Sequence, residues 1–290
     1  MKLIVKFNLV FLVIFVIGLI IAAYISRGLL QQNARDEVLQ NARIMMESSL
    51  ASRAYTSNQI RPLLETQMKY QFLPQSIPAY GATEQFNDLR KKFVDYTYKE
   101  ATLNPTNPRD RATDWEADVV NQFRQAPDRQ ELVGERETPA GRALYMARPL
   151  QIKSEACLIC HSTVDVAPKT MIDLYGPANG FGWKLNEIIG AQIVTVPMAV
   201  PVKRADDTFS VFMISLTAVF AFIFVALNLM LMYIVIRPVT RLSQIADQVS
   251  LGKLDAPEFQ IKGKDEIAVL AGSFNRMRTS LVQAMKMLDD

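Results

Sequence analysis

Both cysteines of the chain and its only histidine fall in one five-residue run, Cys157-Leu158-Ile159-Cys160-His161. Two thiols separated by two residues can each add across one vinyl group of a haem. The residue that follows is then placed to bring its imidazole to the iron. C-x-x-C-H is the attachment pattern of c-type haem, and the covalent links hold the group in a domain too small to bury it otherwise. Other chemistries use the same residue types. A zinc site would have only three ligands here, because no second cysteine pair exists. A redox-active disulfide needs only the two thiols, whose pKa falls in many C-x-x-C motifs. A structural disulfide across two residues would be short and strained. The haem reading accounts for the histidine as well as the cysteines. The expected cofactor is therefore one covalently bound haem c on Cys157 and Cys160, with His161 as proximal iron ligand.

The other face of the iron has no second Cys or His to fill it, which leaves Met, Tyr, water or an open position. Met146, in Ala143-Leu144-Tyr145-Met146, and Met171, ten residues after His161, are the better placed distal candidates. Met45, Met46 and Met68 lie on helical stretches that could also reach a haem. Ordinary core filler is the better explanation of each of these methionines taken singly. Haem propionates need basic partners, and Arg109, Arg111 and Arg148 are candidates. A solvated surface arginine is the plain alternative for each.

One histidine excludes a His-His catalytic pair, an H-E-x-x-H zinc site and bis-histidine haem. A formal charge of +3 with no basic run interleaved with aromatics gives no sign of nucleic-acid binding. Two cysteines do not make a disulfide scaffold, and half the residues are apolar, too many for a disordered chain.

Two long apolar stretches divide the 290 residues. Phe7 to Ser26 holds no charge, and Thr208 to Ile236 is interrupted only by Ser210, Ser215, Thr217 and Asn228. A helix crosses the hydrocarbon core with about 20 such residues. Lys2 and Lys6 before the first stretch also fit a signal peptide, but no A-x-A cleavage site follows it. The expected organisation is a cytoplasmic N-terminus over 1–6, transmembrane helices over 7–26 and 209–236, an extracytoplasmic domain over 27–208 and a cytoplasmic segment over 237–290. Residues 27–208 balance 22 Lys+Arg against 22 Asp+Glu, so the whole excess of positive charge lies outside them. That bias, though blunted by Arg27, Lys203 and Arg204, puts the termini inside. Covalent haem attachment, which occurs outside the cytoplasm, points the same way. The expected location is the inner membrane, crossed twice, with a periplasmic domain.

Within 27–208 the early part is helical. Apolar positions recur at helical spacing from Leu29 to Met68, and Arg61-Pro62 should kink or end that helix. Helices are expected over Glu84 to Tyr98 and Trp115 to Arg124, separated by a turn-rich connector around Pro105 and Pro108. The period then changes. Ala143 to Ile152 alternates as a strand, and Asn186 to Met198 is rich in β-branched residues. The Cys157 motif lies between these strands, followed by a short helix near Met171 and a glycine-rich return at Gly176 to Trp183.

After the second apolar stretch, Pro238 opens a helix on which Leu242, Ile245 and Val249 step by three and four. Leu251-Gly252-Lys253-Leu254 breaks it. Asp265-Glu266 restarts it with acidic residues at the N-terminus. Ile267, Leu270, Phe274, Met277, Leu281, Ala284 and Leu288 then form an a/d seam, the pattern of a coiled coil.

This tail resembles a HAMP linker, through Pro238, Leu242, Gly252, Asp265-Glu266-Ile267 and Ser273-Phe274-Asn275-Arg276-Met277. The preceding domain resembles the bacterial c-type haem, PAS-like sensor domains. The stretches that carry this likeness are Arg53 to Ser57, Tyr98 to Pro105, Asp110 to Glu116, Tyr145 to Leu150, Cys157 to His161 and Tyr175 to Lys184. The resemblance implies an α/β (α+β) PAS-like sensor domain between two transmembrane helices, followed by an all-α HAMP coiled coil that makes a homodimer. It implies a sensor of redox state or of a small diatomic ligand, and a signalling protein rather than an enzyme. No kinase, cyclase or chemotaxis module follows the HAMP seam within these residues. Either a separate cytoplasmic partner takes the signal through the coiled coil, or the chain continues beyond Asp290. A membrane-anchored c-type cytochrome for electron transfer is the alternative, and it leaves the heptads without a purpose.

Overall fold

The computed structural model describes residues 3–253, 257–259 and 263–289. Met1, Lys2, Leu254 and the side chain of Leu288 lie outside this description. The chain divides into two compact units, one of residues 1–25 with 210–290 and the other Ser26–Phe209.

Helix α1 runs from Leu3 to Tyr55 and is followed by a π-helical turn, Thr56–Ile60, and by α2, Arg61–Met68. Sequence leads one to expect a kink or an end at Pro62, and the π turn is how the chain meets that requirement. Proline lacks an N–H and its ring crowds the carbonyl four residues back, so the preceding turn widens and a new helix starts with Pro62 in its first turn. The same device recurs where α7, Ala199–Met230, passes through a π turn at Leu231–Ile236 into α8, Arg237–Ser250, with Pro238 in its first turn.

Unit Ser26–Phe209 is built on a four-stranded antiparallel sheet in the order β1-β4-β3-β2. The strands are β1 Thr97–Thr102, β2 Leu132–Thr138, β3 Gly141–Gln151 and β4 Ile188–Pro197. Each strand presents alternate residues to opposite faces. On one face Leu144, Met146, Val194 and Val196 pack against Val38, Ala42, Met45 and Met46 of α1 and against Ala82 and Phe86 of α3, Pro78–Arg90. On the other face Ala101, Ala147, Ala191 and Ile193 pack under Val119, Val120 and Phe123 of α4, Asp114–Gln125. The start of α4 is fixed by a capping box between Thr113 and Glu116.

Two strands were not legible as such. The helix expected through Tyr98 ends at Arg90, and Thr97–Thr102 is instead β1. Its buried residues include Glu100, and its partly buried ones Lys99, so charges satisfied by ion pairs break the apolar alternation that marks a strand. Strand β2 is partly buried along nearly its whole length and carries Glu135, Arg136 and Glu137, again without a clean alternation.

The other unit contains two helical stretches apolar enough to cross a bilayer, with mean hydropathy 3.0 and 2.7. Phe15 and Phe220 stack with centroids 5.0 Å apart. After α8, Asn275 of α9, Glu266–Asp289, holds the connector in both directions. Its amide donates to the carbonyl of Phe259 at 2.9 Å and its carbonyl accepts from the Phe259 N–H at 3.3 Å. Leu242 and Val249 of α8 and Ala271 of α9 are buried. The expected seam on α9 is not covered within one chain: Leu270 is 50% and Met277 61% exposed.

Candidate haem site

The C-x-x-C-H run lies between β3 and β4. Cys157 closes a short 3-10 turn, Glu155–Cys157, and His161 ends the one-turn helix α5, Leu158–His161. Both cysteines are free thiols. Cys157, Cys160 and His161 stand together on the wall of a cavity of about 450 Å³, within the range of roughly 300–1,000 Å³ usual for cofactor and small-molecule sites. The cavity exists because α1 covers only part of its sheet face. Leu144 and Met146 lie under the helix, whereas Leu150, four residues further along β3, faces open space. The apolar wall comes from Phe72, Ile77, Ile152, Tyr175 and Ile189.

The imidazole of His161 is fixed on two sides. Its Nδ1–H donates to the carbonyl of Gly180 at 2.7 Å, and Thr106 Oγ1 lies 3.4 Å from the same nitrogen. The ring stacks on Trp183 at 3.9 Å between centroids and 18° from parallel. A carbonyl can only accept, so the proton sits on Nδ1 and Nε2 keeps its lone pair for a metal. Burial pushes the pKa of His161 down, the Gly180 bond opposing, which keeps the ring neutral as a ligand must be. The loop that performs this is itself held. Asn104 accepts from the Gly180 N–H and donates to the Phe181 carbonyl, and Trp183 N–H donates to the carbonyl of His161. Gly180 has φ +85°, a left-handed conformation that only glycine adopts readily.

Burial pushes the Cys160 thiol pKa up, with Arg61 working in the opposite sense. Two free thiols, a neutral imidazole with one free nitrogen and an adjoining cavity fit a covalently held haem.

The remaining candidates separate. Met171, 2% exposed on α6, Lys169–Tyr175, lines the cavity and packs beside Cys160. Met146 does not reach it. Its side chain is wholly buried under α1, about 13 Å along the strand from Leu150 at 3.3 Å per residue. Met45 and Met46 belong to that same core. Met68 borders the Met171 cluster, its sulfur accepting from Leu73 N–H and Ser76 Oγ. Arg109 lines the cavity, paired with Glu84 and Asp110 and 5.0 Å over the Tyr80 ring. Arg111 and Arg148 do not line it. Arg111 bonds Asn179 and the Leu103 carbonyl, and Arg148 bridges Glu47 and Glu131, so their donors are spent elsewhere.

Sequence reasoning used Arg53 to Ser57 only for the family likeness and Arg61 only for the kink, and placed none of them at the site, yet Arg53, Ser57 and Arg61 bring the end of α1 and the start of α2 to the cavity wall. Arg61 acts on Cys160 electrostatically, lowering its thiol pKa against the effect of burial. Arg53 pairs with Glu100, a buried carboxylate that also accepts from Tyr98 Oη at 2.7 Å. Burial works against the Arg53 charge, and Glu100, with Tyr98 and Cys157 adding to it, more than offsets that effect, leaving the pKa raised.

The sequence model of the Tll0287-like family matches residues 31–197, more than half of the chain. The chain belongs to the Tll0287-like family. The HAMP domain model matches residues 230–283, starting within the second apolar helix. Among solved structures, the Tll0287-like domain is similar to the crystal structure of the cyanobacterial heme-protein Tll0287. That match has 17% identity and a TM-score of 0.44, and covers 56% of this chain and 95% of that one. No curated protein matches the chain. A Tll0287-like domain, two long apolar helices and a HAMP domain fit a two-pass inner-membrane signalling protein.

Proposed function

We propose that this protein is a membrane-bound haem sensor that signals through its HAMP domain to a separate cytoplasmic partner. The observation that carries the reading is the fixed imidazole of His161. Its Nδ1–H is committed to Gly180, its ring to Trp183, and its Nε2 is left beside two free thiols and a cavity. The family's namesake is described as a heme-protein, which agrees with this chemistry.

Cys157 and Cys160 would hold the group covalently, His161 would ligate the iron, and Met171, which lines the cavity, would be the distal candidate. Arg109, at the wall but partly committed, is the remaining propionate partner among those expected. Bound there, haem would supply a one-electron redox couple or, where no protein group fills its iron, the capacity to bind a small ligand. Arg53 ties the cavity wall to α1, whose first residues form the first apolar stretch. The sensor domain would be periplasmic and the unit a homodimer joined by HAMP helices. A difference of order 1–3 kcal/mol between two packings of α1 on the sheet would suffice as a signal.

The test is the full chain produced with haem-attachment machinery. Haem should stay with the polypeptide on a denaturing gel and be lost in the Cys157→Ser/Cys160→Ser variant. A Soret shift of the ferrous protein with carbon monoxide supports gas sensing, and an unmoved spectrum supports redox sensing. Absence of covalent haem from the wild type refutes the reading.

A further inference from the structure

The sheet has a second uncovered area, on the opposite face and at the opposite end. Helix α4 has 12 residues, about 18 Å at 1.5 Å per residue. It covers the face over Ala101, Ala147 and Ala191. Beyond it, Thr97, Thr195, Ala143 and Arg136 belong to the same face by the strand register. They line a cavity of about 560 Å³ with Lys99 and Trp115. This cavity contains none of Cys157, Cys160 or His161.

Its polar groups are of unequal freedom. Lys99 is neutralised by Glu116 at 2.7 Å and donates to the Arg111 carbonyl. Arg109 is paired with Glu84. Arg136 is different. Its guanidinium lies 4.1 Å over the Trp115 ring and makes no hydrogen bond or ion pair among the described residues. Stacking occupies the face of a guanidinium and leaves its in-plane N–H fork free, the geometry that grips a carboxylate with two bonds. On the floor, Thr97 and Thr195 are direct cross-strand partners, and neither hydroxyl has a partner among the described residues. Ile193, Ala143 and Pro197 supply apolar surface beside them.

We propose that this second cavity binds a small molecule carrying one carboxylate and an apolar body. The carboxylate sits on Arg136, and the body lies against Trp115 and Ile193, toward the Thr97 and Thr195 hydroxyls. With Lys99 met by Glu116 and Arg109 by Glu84, Arg136 is the cation this sheet face offers, which suits a monoanion better than a phosphate. Arg109 and Asp110 line this cavity and the haem cavity alike, so the occupant of either borders a wall of the other.

The inference does not depend on haem attachment, and calorimetric titration of the full chain in detergent tests it directly. The probes are benzoate and 2-methylbutanoate, their amides, and inorganic phosphate. Both carboxylates should bind at least tenfold more tightly than their amides and than phosphate. Arg136→Gln should weaken binding tenfold to a hundredfold, as expected for losing hydrogen bonds to a charged group. Its melting temperature should stay near wild type, because Arg136 holds no ion pair. Arg136→Lys should not restore affinity, since a point charge lacks the fork. Equal binding of carboxylate and amide, phosphate binding as tightly, no heat from either carboxylate, or an unchanged affinity in Arg136→Gln would each overturn the proposal.

Discussion

Arg53, two residues before the end of α1, forms an ion pair with Glu100 of β1, and both side chains line the haem cavity. Glu100 is only 3% exposed. A buried carboxylate is stable only while its charge is met, here by Arg53 and by the Tyr98 hydroxyl. Removing one partner of a buried pair leaves the other charge stranded, typically at a cost of about 3–5 kcal/mol. Arg53→Met should fall near the lower end, because its own side chain is one-quarter exposed. Arg53→Met/Glu100→Gln should recover most of the loss, since neutralising both groups leaves no orphan charge. Both tryptophans, Trp115 and Trp183, lie in the sensor unit, so denaturant unfolding followed by their fluorescence reports on it. A double variant no more stable than the single would show that Arg53 contributes by packing alone.

The hold on the His161 ring depends on the conformation of Gly180. At φ +85° a β-carbon on Gly180 is strained, and it would also lie 2.8 Å from Thr106 Cα. Gly180→Ala must therefore move the loop, and with it the carbonyl that holds His161 Nδ1. Strain of this kind costs of order 1–3 kcal/mol. The variant should melt lower than wild type and, once haem is attached, should show an altered ferrous spectrum. Thr106→Ser, which keeps the hydroxyl and the space, should leave the spectrum alone. An unaltered spectrum in Gly180→Ala would mean that Trp183 stacking alone orients the ring.

Asp110 gives the sensor domain a pH dependence of definite sign. Burial pushes its carboxyl pKa up to about 6, with Arg109 opposing and Glu100 and Glu84 adding to the rise. In the unfolded chain the same group titrates near 3.8. Between these values the folded protein holds a proton that the unfolded chain has released, so Asp110 makes folding less favourable as pH rises through 4 to 6. The cost is complete above that window and absent below it. Asp110→Asn should raise the melting temperature at pH 7.5 and leave it nearly unchanged at pH 3.5. Equal effects at both values would place the contribution in packing or in the Arg109 contact.

The candidate site of this chain was legible where it was local. Cys157, Cys160 and His161 announce themselves by spacing, and the structure gathers them because five consecutive residues cannot be far apart. The α1 face was legible through Val38, Ala42, Met45 and Ser49, which are buried at helical intervals. The failures are all of long range. Met146 has the chemistry of a ligand, but strand alternation turns it under α1. Arg148 is spent on Glu47 and Glu131, some 101 and 17 residues away. Arg53 and Glu100 are 47 residues apart and their pairing has no local signal. Strands β1 and β2 were hidden for the same reason, since charges that find partners across the fold look like surface in the sequence.

The exposed seam of α9 leads to the last prediction. Leu270, Met277 and Leu281 are half or more uncovered in one chain or nearly so, at 50%, 61% and 44%, while Asn275 on the same helix is tied to the Phe259 backbone. If a second copy covers the seam, cysteines at Leu270→Cys or Met277→Cys should approach their symmetry mates within the roughly 7 Å Cα separation that a disulfide tolerates. Mild oxidation in membranes should then give crosslinked dimers at these two positions and far less at Arg276→Cys, one residue off the seam. Uniformly low yields would refute a homodimer built on this helix. The same crosslinks also separate the two functional readings of the haem site. A signalling protein must change its α9 packing when the state of the site changes, so yields should differ between reduced and oxidised protein. An electron carrier has no such requirement, and identical yields in both states would favour it.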